Sequence, residues 1–439
     1  MKKLVLFFLL LMVLDAFTQN SDNSLMTKDQ SETFSFNQYF ENKTLRVDYY
    51  LAGNDHEEIV YFREMKREPQ WGGNPKNLID PRQTGSYRYL LKDSVTGILL
   101  FSRGFCSLFQ EWQGTAEAKK VQRAFPMSAV MPFPKHTVIF IIERRKYETG
   151  QFESLFSMVV NPLDYFIIRE MPVSYPVKIL YHAGESSSCL DIAFISEGYM
   201  EYEMPKFLED AIRMTDYFLV QPPYNEFRDQ INFYAIQSPS QETGVDIPGQ
   251  NTYVNTCVNS SFYTWDMDRY LTTFDTKGIY DIAASVPYDA IFILNNSSQY
   301  GGGGFYNHYG QSTVDNALSE KVAIHEFGHS FAGLADEYYA SEITYSDFYN
   351  LHTEPWEPNI TTHIDFDSKW KSMIPDTVPI PTPREVRYQA TVGMFEGGGY
   401  VSKGVFSPMM DCRMKGNAAN GFCPVCQEAI RRMIRFYCD

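Results

Sequence analysis

The chain is expected to fold as a mixed α and β protein (α+β or α/β). An N-terminal β-sandwich-like half precedes a layered half with a mixed sheet and one helix of unusual composition. Three observations predict this. Short β-branched and aromatic runs follow one another from about residue 34 to 170 with no helical period. A stretch with two prolines, Met171-Pro-Val-Ser-Tyr-Pro176, then interrupts the pattern, and beyond it strands alternate with helices. The aromatic share of 15% fits extensive sheet, because flat rings pack well on pleated surfaces.

The first element reads as an address. Met1-Lys2-Lys3 is followed by an apolar run from Leu4 to Leu14 and then by small and polar residues through Ala16 and Thr18. This is the pattern of a secretory signal peptide over 1–18, and the run is too short to span a bilayer comfortably. Residues 19–33 read as a flexible polar leader. The expected location is secreted, periplasmic or at the cell surface, with no transmembrane anchor beyond the signal.

The segment 34–170 reads as an accessory domain. Runs such as Leu45–Leu51, Glu58–Phe62, Tyr87–Leu91 and Thr137–Ile142 are strands, and clusters such as Trp71-Gly-Gly-Asn-Pro75 are loops. No His cluster or Gly-rich loop there demands chemistry. The segment 171–439 follows with strands at Val177–Tyr181 and Leu190–Ile195. A helix from Pro205 to Val220 is stopped by Pro222-Pro223, and further strands come at Ile231–Ile236 and Asp289–Leu294.

Lys plus Arg number 38 against 54 Asp plus Glu, a net charge of −16, so the basic footprint of a nucleic-acid binder is missing. Seven cysteines make an odd count. Four of them, Cys412, Cys423, Cys426 and Cys438, crowd the last 28 residues. One or two disulfides pinning the C-terminal helix are expected in preference to a four-Cys zinc knot, since the spacings are not two matched CxxC pairs.

The run that decides function is His325-Glu326-Phe-Gly-His329, on a helix expected from about Asn316 to Ala332. Residues four apart share a helix face, so two imidazoles can reach one metal ion. Glu326 is turned away from that face, too far round to ligate yet near a water beside the metal. A hydrolytic zinc site needs this set: two imidazoles, room for a water whose pKa zinc brings toward ~7, and a carboxylate to take its proton. The third ligand is open. On a straight helix Asp336 would lie ~10 Å further along the axis. Gly333 permits a left-handed turn that would bring it back. Glu337 is a rival, and Glu342, Glu385 and Glu396 are distant alternatives.

A Gly after the second His, with an Asp soon after, is similar to the metzincin clan. Gly333 and Asp336 each fall one residue later than that clan's HExxHxxGxxH spacing. The run HEFGHSFAGLADEYY, with Gly393–Tyr400, Phe406–Met414 and Phe422–Cys426, resembles the M64 family of metallopeptidases, named for an IgA-cleaving bacterial enzyme. The resemblance covers most of the chain from about Asp191 and extends to the preceding β-domain. It implies a zincin-type catalytic domain over 171–439, with Zn²⁺ on His325, His329 and Asp336 and Glu326 as general base. It also implies that Met414 is the hydrophobic floor beneath the metal. It does not carry over immunoglobulin as substrate.

The expected function is a secreted zinc endopeptidase acting on protein or peptide substrates, with oligomeric state left open. The competing reading is a non-catalytic exported protein- or glycan-binding protein whose zinc is structural. The Gly301–Gly304 run is read as a cleft edge where an extended peptide adds as a strand. His308 is read as a bystander, and Tyr338 and Tyr339 as packing residues.

Overall fold

The computed structural model describes residues 35–170, 173–339 and 349–439. The expected signal peptide and leader, and part of the proline stretch, lie outside the described residues. Phe36–Asp439 form one unit.

In chain order the first elements are a short turn α1 (Phe36–Tyr39), β1 (Phe40–Gly53), β2 (Glu58–Glu68), β3 (Tyr87–Asp93), β4 (Leu99–Phe105) and α2 (Leu108–Gln113). Next come β5 (Arg123–Pro134), β6 (Val138–Arg145), β7 (Phe152–Val160) and β8 (Ile167–Ile168). They make two four-stranded sheets, ordered β5-β1-β2-β8 and β4-β3-β6-β7. Tyr89 of β3 ties one to the other by donating its hydroxyl to Val130 O of β5 at 2.9 Å. The first three expected strands fall within β1, β2 and β3, and the fourth lies in β6 apart from Thr137.

The second half supplies β9 (Val177–Tyr181), β10 (Leu190–Glu197), α3 (Met204–Val220), β11 (Ile231–Ile236), α4 (Thr276–Ala283), β12 (Ala290–Asn295), β13 (Gly302–Phe305) and β14 (Tyr309–Thr313). The chain ends with α5 (Ser319–Ala332), the hairpin β15 (Phe395–Gly398) and β16 (Val401–Ser407), and α6 (Pro424–Cys438). A six-stranded sheet runs β13-β14-β12-β10-β11-β9. Its four inner strands are parallel, and β13 and β9 run antiparallel at the edges. The sheet is therefore mixed. Strands β10, β11 and β12 are almost wholly buried, as continuous apolar runs in a covered sheet should be.

Phe194 and Phe292 of the sheet meet Phe218 of α3 and Phe327 of α5 in one aromatic knot, with Phe218 edge-on to Phe327 at 5.1 Å. Phe331, one turn further along α5, stacks on Tyr437 of α6. Helix α5 is thus fixed on its apolar side by sheet, α3 and α6, and its other side is left to line a cleft.

The two halves meet over a polar seam. Arg46 of β1, fully buried, pairs with Asp48, with Glu68 and, across the seam, with Asp281 of α4 at 2.7 Å.

Candidate active site

Helix α5 buries Ala323, Ile324, Phe327 and Phe331, and leaves His325, Glu326 and His329 half-buried. The helix ends at Gly333, which has φ +62°. Gly333 N–H donates to His329 O at 3.0 Å, the bond of an αL cap, and Leu334 N–H donates to Gly328 O at 3.1 Å. A Cβ at Gly333 would meet the Trp356 ring at 2.7 Å, so both backbone and space demand glycine. This cap reverses the chain.

Asp336 returns to the helix as a result. Its Oδ1 lies 3.1 Å from His325 Nε2 and 3.4 Å from His329 Nε2, and the two Nε2 atoms are 3.1 Å apart. The other ring nitrogens face carbonyls. His325 Nδ1 is 3.0 Å from Arg413 O, and His329 Nδ1 is 2.5 Å from Leu334 O. A carbonyl only accepts, so in the neutral rings Nδ1 carries the hydrogen and Nε2 presents its lone pair. Three lone-pair atoms therefore converge, and Asp336 Oδ1 is buried with no hydrogen-bond donor. A divalent cation relieves that repulsion. Bonds of ~2.0–2.1 Å in a tetrahedral shell put ligand atoms about 3.3 Å apart, which matches the triangle found. With protein charges alone the charge would be met by a proton. Burial opposes ionising His329, but Asp336 and Glu326 outweigh it and push its pKa up to about 9.

The segment carrying Asp336 is held from two sides. Gly399 and Tyr400 form the two-residue tip of the β15–β16 hairpin, both with positive φ. Gly399 N–H donates to Asp336 O at 2.8 Å, Tyr400 N–H to Tyr338 O at 2.9 Å, and the Tyr400 hydroxyl to Asp336 Oδ2. On the other side Glu337 N–H donates to Met414 O at 2.8 Å. Met414 is fully buried, with its Sδ against α5 at Gly328, between the two histidine turns.

Glu326 stands beside the imidazoles. One of its carboxylate oxygens lies within 4.8 Å of both ring nitrogens. Burial pushes its carboxyl pKa up, while His325, His329 and exposed Arg269 pull against the shift. Its side chain lies along β13, where a Cβ at Gly302 would come within 2.7 Å of Glu326 Cγ. The cleft in front has a volume of about 410 Å³ and runs between the Gly301–Gly304 edge and the Lys415–Asn417 turn.

The sequence rivals for the third position lie elsewhere. Glu337 points into a buried cluster with Cys426 and Asn359. Glu385 pairs with Arg387, and Glu396 pairs with Lys403. Glu342 lies outside the described residues. The expected disulfides are not formed: all seven cysteines are free. Cys412, Cys423 and Cys426 gather around Glu337, whereas Cys438 sits at the far end of α6, its Sγ 3.4 Å from Gln230 O.

Residues 178–388 and 384–434 match the family described as IgA Peptidase M64, and residues 35–157 match its N-terminal family, Peptidase M64 N-terminus. The chain belongs to the M64 peptidase family. It is therefore a peptidase, a hydrolase whose substrates are proteins or peptides. No curated protein matches it.

Three participants in this peptidase's site carry no motif. The Arg413 and Leu334 carbonyls orient the histidines, and any residue could supply a carbonyl. Glu111, on α2 in the first half, lines the same cleft and accepts from the Tyr270 hydroxyl at 2.5 Å. Burial pushes its carboxyl pKa up to about 7. The first half thus contributes to the cleft wall, where its sequence had suggested only a scaffold. His308 is buried and stacked on Tyr280, away from the cleft, and burial holds its pKa down near 3. Tyr338 packs edge-on against Tyr400 while also lining the cleft. No helix among the described residues is long and apolar enough to cross a membrane.

Proposed function

We propose that the chain is a secreted zinc-dependent endopeptidase. His325, His329 and Asp336 hold the metal, Glu326 is the general base, residues 171–439 are a zincin-type catalytic domain and residues 34–170 are an accessory domain. The observation that carries this reading is the convergence of two imidazole Nε2 atoms and an orphaned carboxylate oxygen within 3.4 Å of one another. Export rests on the Lys2-Lys3 start and the Leu4–Leu14 run.

When bound, zinc supplies a Lewis acid for the scissile carbonyl and acidifies a water. The chain's own groups do the rest. Glu326 takes the proton of the attacking water and returns it to the leaving amine. The Arg413 and Leu334 carbonyls keep both Nε2 atoms unprotonated, and the Tyr400 hydroxyl steadies the Asp336 carboxylate. At Gly302 the outer edge of β13 is already paired with Arg269 and Leu271. By the two-residue alternation of a strand, the peptide group of Gly304 faces the same way and is where an extended substrate would add.

The structural-zinc reading requires a fourth protein ligand. No ion pair joins Glu326 to either imidazole among the described residues, and this favours a three-ligand site with a position for water. Glu326→Ala tests the function. Metal content should stay at wild type while peptide hydrolysis falls by about 10²- to 10⁴-fold. Retained hydrolysis with normal metal would remove Glu326 from the mechanism.

A further inference from the structure

We propose that Glu337, Cys412, Cys423 and Cys426 form a second metal site, a closed structural site for a zinc-class cation. It would clamp the Asp336–Glu337 segment to the Cys412–Met414 turn and to the start of α6. The proposal stands independently of the catalytic reading.

One donor atom from each of the four residues lies within 4.8 Å of the other three. All four residues are buried, at 0%, 1%, 4% and 0% exposure. Cys412 Sγ and Cys426 Sγ are 3.7 Å apart, and Cys426 Sγ is 3.1 Å from Glu337 Oε1. Zinc–sulfur bonds of ~2.3 Å in a tetrahedron place two sulfurs about 3.8 Å apart, whereas a disulfide requires about 2.05 Å. Disulfide pairing among these three cysteines would also strand one thiol beside a buried carboxylate.

The surroundings fit a thiolate site. Cys423-Pro-Val-Cys426 opens α6, where Cys426 N–H points at Cys423 Sγ at 3.5 Å, and Cys423 N–H points at Cys412 Sγ at 3.3 Å. Backbone donors and a helix N-terminus both favour negative sulfur. Asn359 orients Glu337 by donating Nδ2 to its Oε1 at 3.1 Å, and is itself fixed on both the N–H and C=O of Ala335. Glu337 Oε2 is buried with no partner. Lys415, whose charge acts on Glu337, donates its ammonium to Ser407 Oγ and Met409 O. Binding a divalent cation would release the thiol protons and leave a net charge of −2, the same as a four-Cys zinc site.

The consequence reaches the active site. Glu337 follows Asp336, its N–H is bonded to Met414 O, and Arg413 O orients His325. A cation here would lock the two segments that position His325 and Asp336 to each other and to the start of α6.

The test uses the full chain, purified reduced and loaded with Zn²⁺, with metal counted per chain. Wild type should hold two equivalents, His325→Ala one, and Cys426→Ser no more than one. Should Cys426→Ser fail to fold, Co²⁺ loaded into His325→Ala decides alone. A sulfur-to-cobalt charge-transfer band in the near ultraviolet supports the site, and its absence from folded protein overturns it. A single wild-type zinc that is lost in His325→Ala and kept in Cys426→Ser, or a mass two hydrogens lighter from a disulfide among these three cysteines in protein from its native source, also overturns it. A single wild-type zinc that survives His325→Ala with its cobalt–sulfur band and is lost in Cys426→Ser would leave the second site standing and remove the catalytic one.

Discussion

Asp336 and Glu337 are neighbours in sequence and opposites in environment. The first faces two imidazoles, the second a nest of sulfur. Asp336→Ala should weaken metal binding at the histidines by more than the roughly 10- to 100-fold that loss of an outer partner costs. Glu337→Ala should leave a metal at the histidines, as equilibrium dialysis with Zn²⁺ can show. If Glu337→Ala strips the histidine site while Asp336→Ala spares it, the assignments are reversed. Tyr400→Phe removes the hydroxyl that donates to Asp336 and keeps the ring, so its loss should fall within that 10- to 100-fold range in metal affinity or activity. At this scale the His-Glu-x-x-His spacing was legible, because two ligands on one helix face need a fixed interval. The Arg413 and Leu334 carbonyls were not legible, because a backbone acceptor leaves no trace in residue type. Glu111 was not legible either: a lone carboxylate on a short helix acquires meaning only when the first half folds against the second.

Among elements, the Gly333 cap decides whether Asp336 arrives. Its φ of +62° and the nearby Trp356 ring exclude a side chain, most of all a β-branched one. Gly333→Val should therefore reproduce the metal loss of Asp336→Ala without touching a ligand. The variant should still fold to a similar far-ultraviolet circular dichroism spectrum, since α5 is held by its apolar face. Wild-type metal content in Gly333→Val would show that the turn does not deliver the ligand. The left-handed turn was readable from glycine alone. Strands β9 to β12 were readable as apolar runs, and α3 from its period and the prolines after it. Strand β13, Gly-Gly-Gly-Phe, carries no strand propensity, and β14 is buried but polar, so neither announced itself as a strand. The C-terminal cysteines suggested disulfides by their crowding, yet the fold sends Cys438 to the opposite end of α6 and brings Glu337 in its place.

At the scale of the whole molecule, the seam between the halves is held by charge as well as by packing. Burial alone would raise the Asp281 carboxyl, but Arg46, Lys277 and Lys66 hold its pKa well below the usual carboxylate range. A depressed folded pKa stabilises the protein above the unfolded value of about 3.9, and the stabilisation is lost as pH falls below it. Asp281→Asn should lower stability by roughly 1–3 kcal/mol at pH 7, since it leaves Arg46 short of a partner. Urea midpoints of variant and wild type should then start to draw together below about pH 4 and keep converging as pH falls toward the depressed folded value. A gap that stays constant with pH would mean that the aspartate acts through shape and not through charge.

The function turns on whether His325, His329 and Asp336 hold one catalytic zinc and leave a position for water. A crystal of the full chain loaded with Zn²⁺, with anomalous scattering collected at the zinc edge, tests it most directly. The expected result is a peak bonded to His325 Nε2, His329 Nε2 and the Asp336 carboxylate, with no fourth protein ligand and the Glu326 carboxylate alongside. A peak that takes Glu326 or another side chain as a fourth ligand, or no zinc between the two histidines, would contradict it.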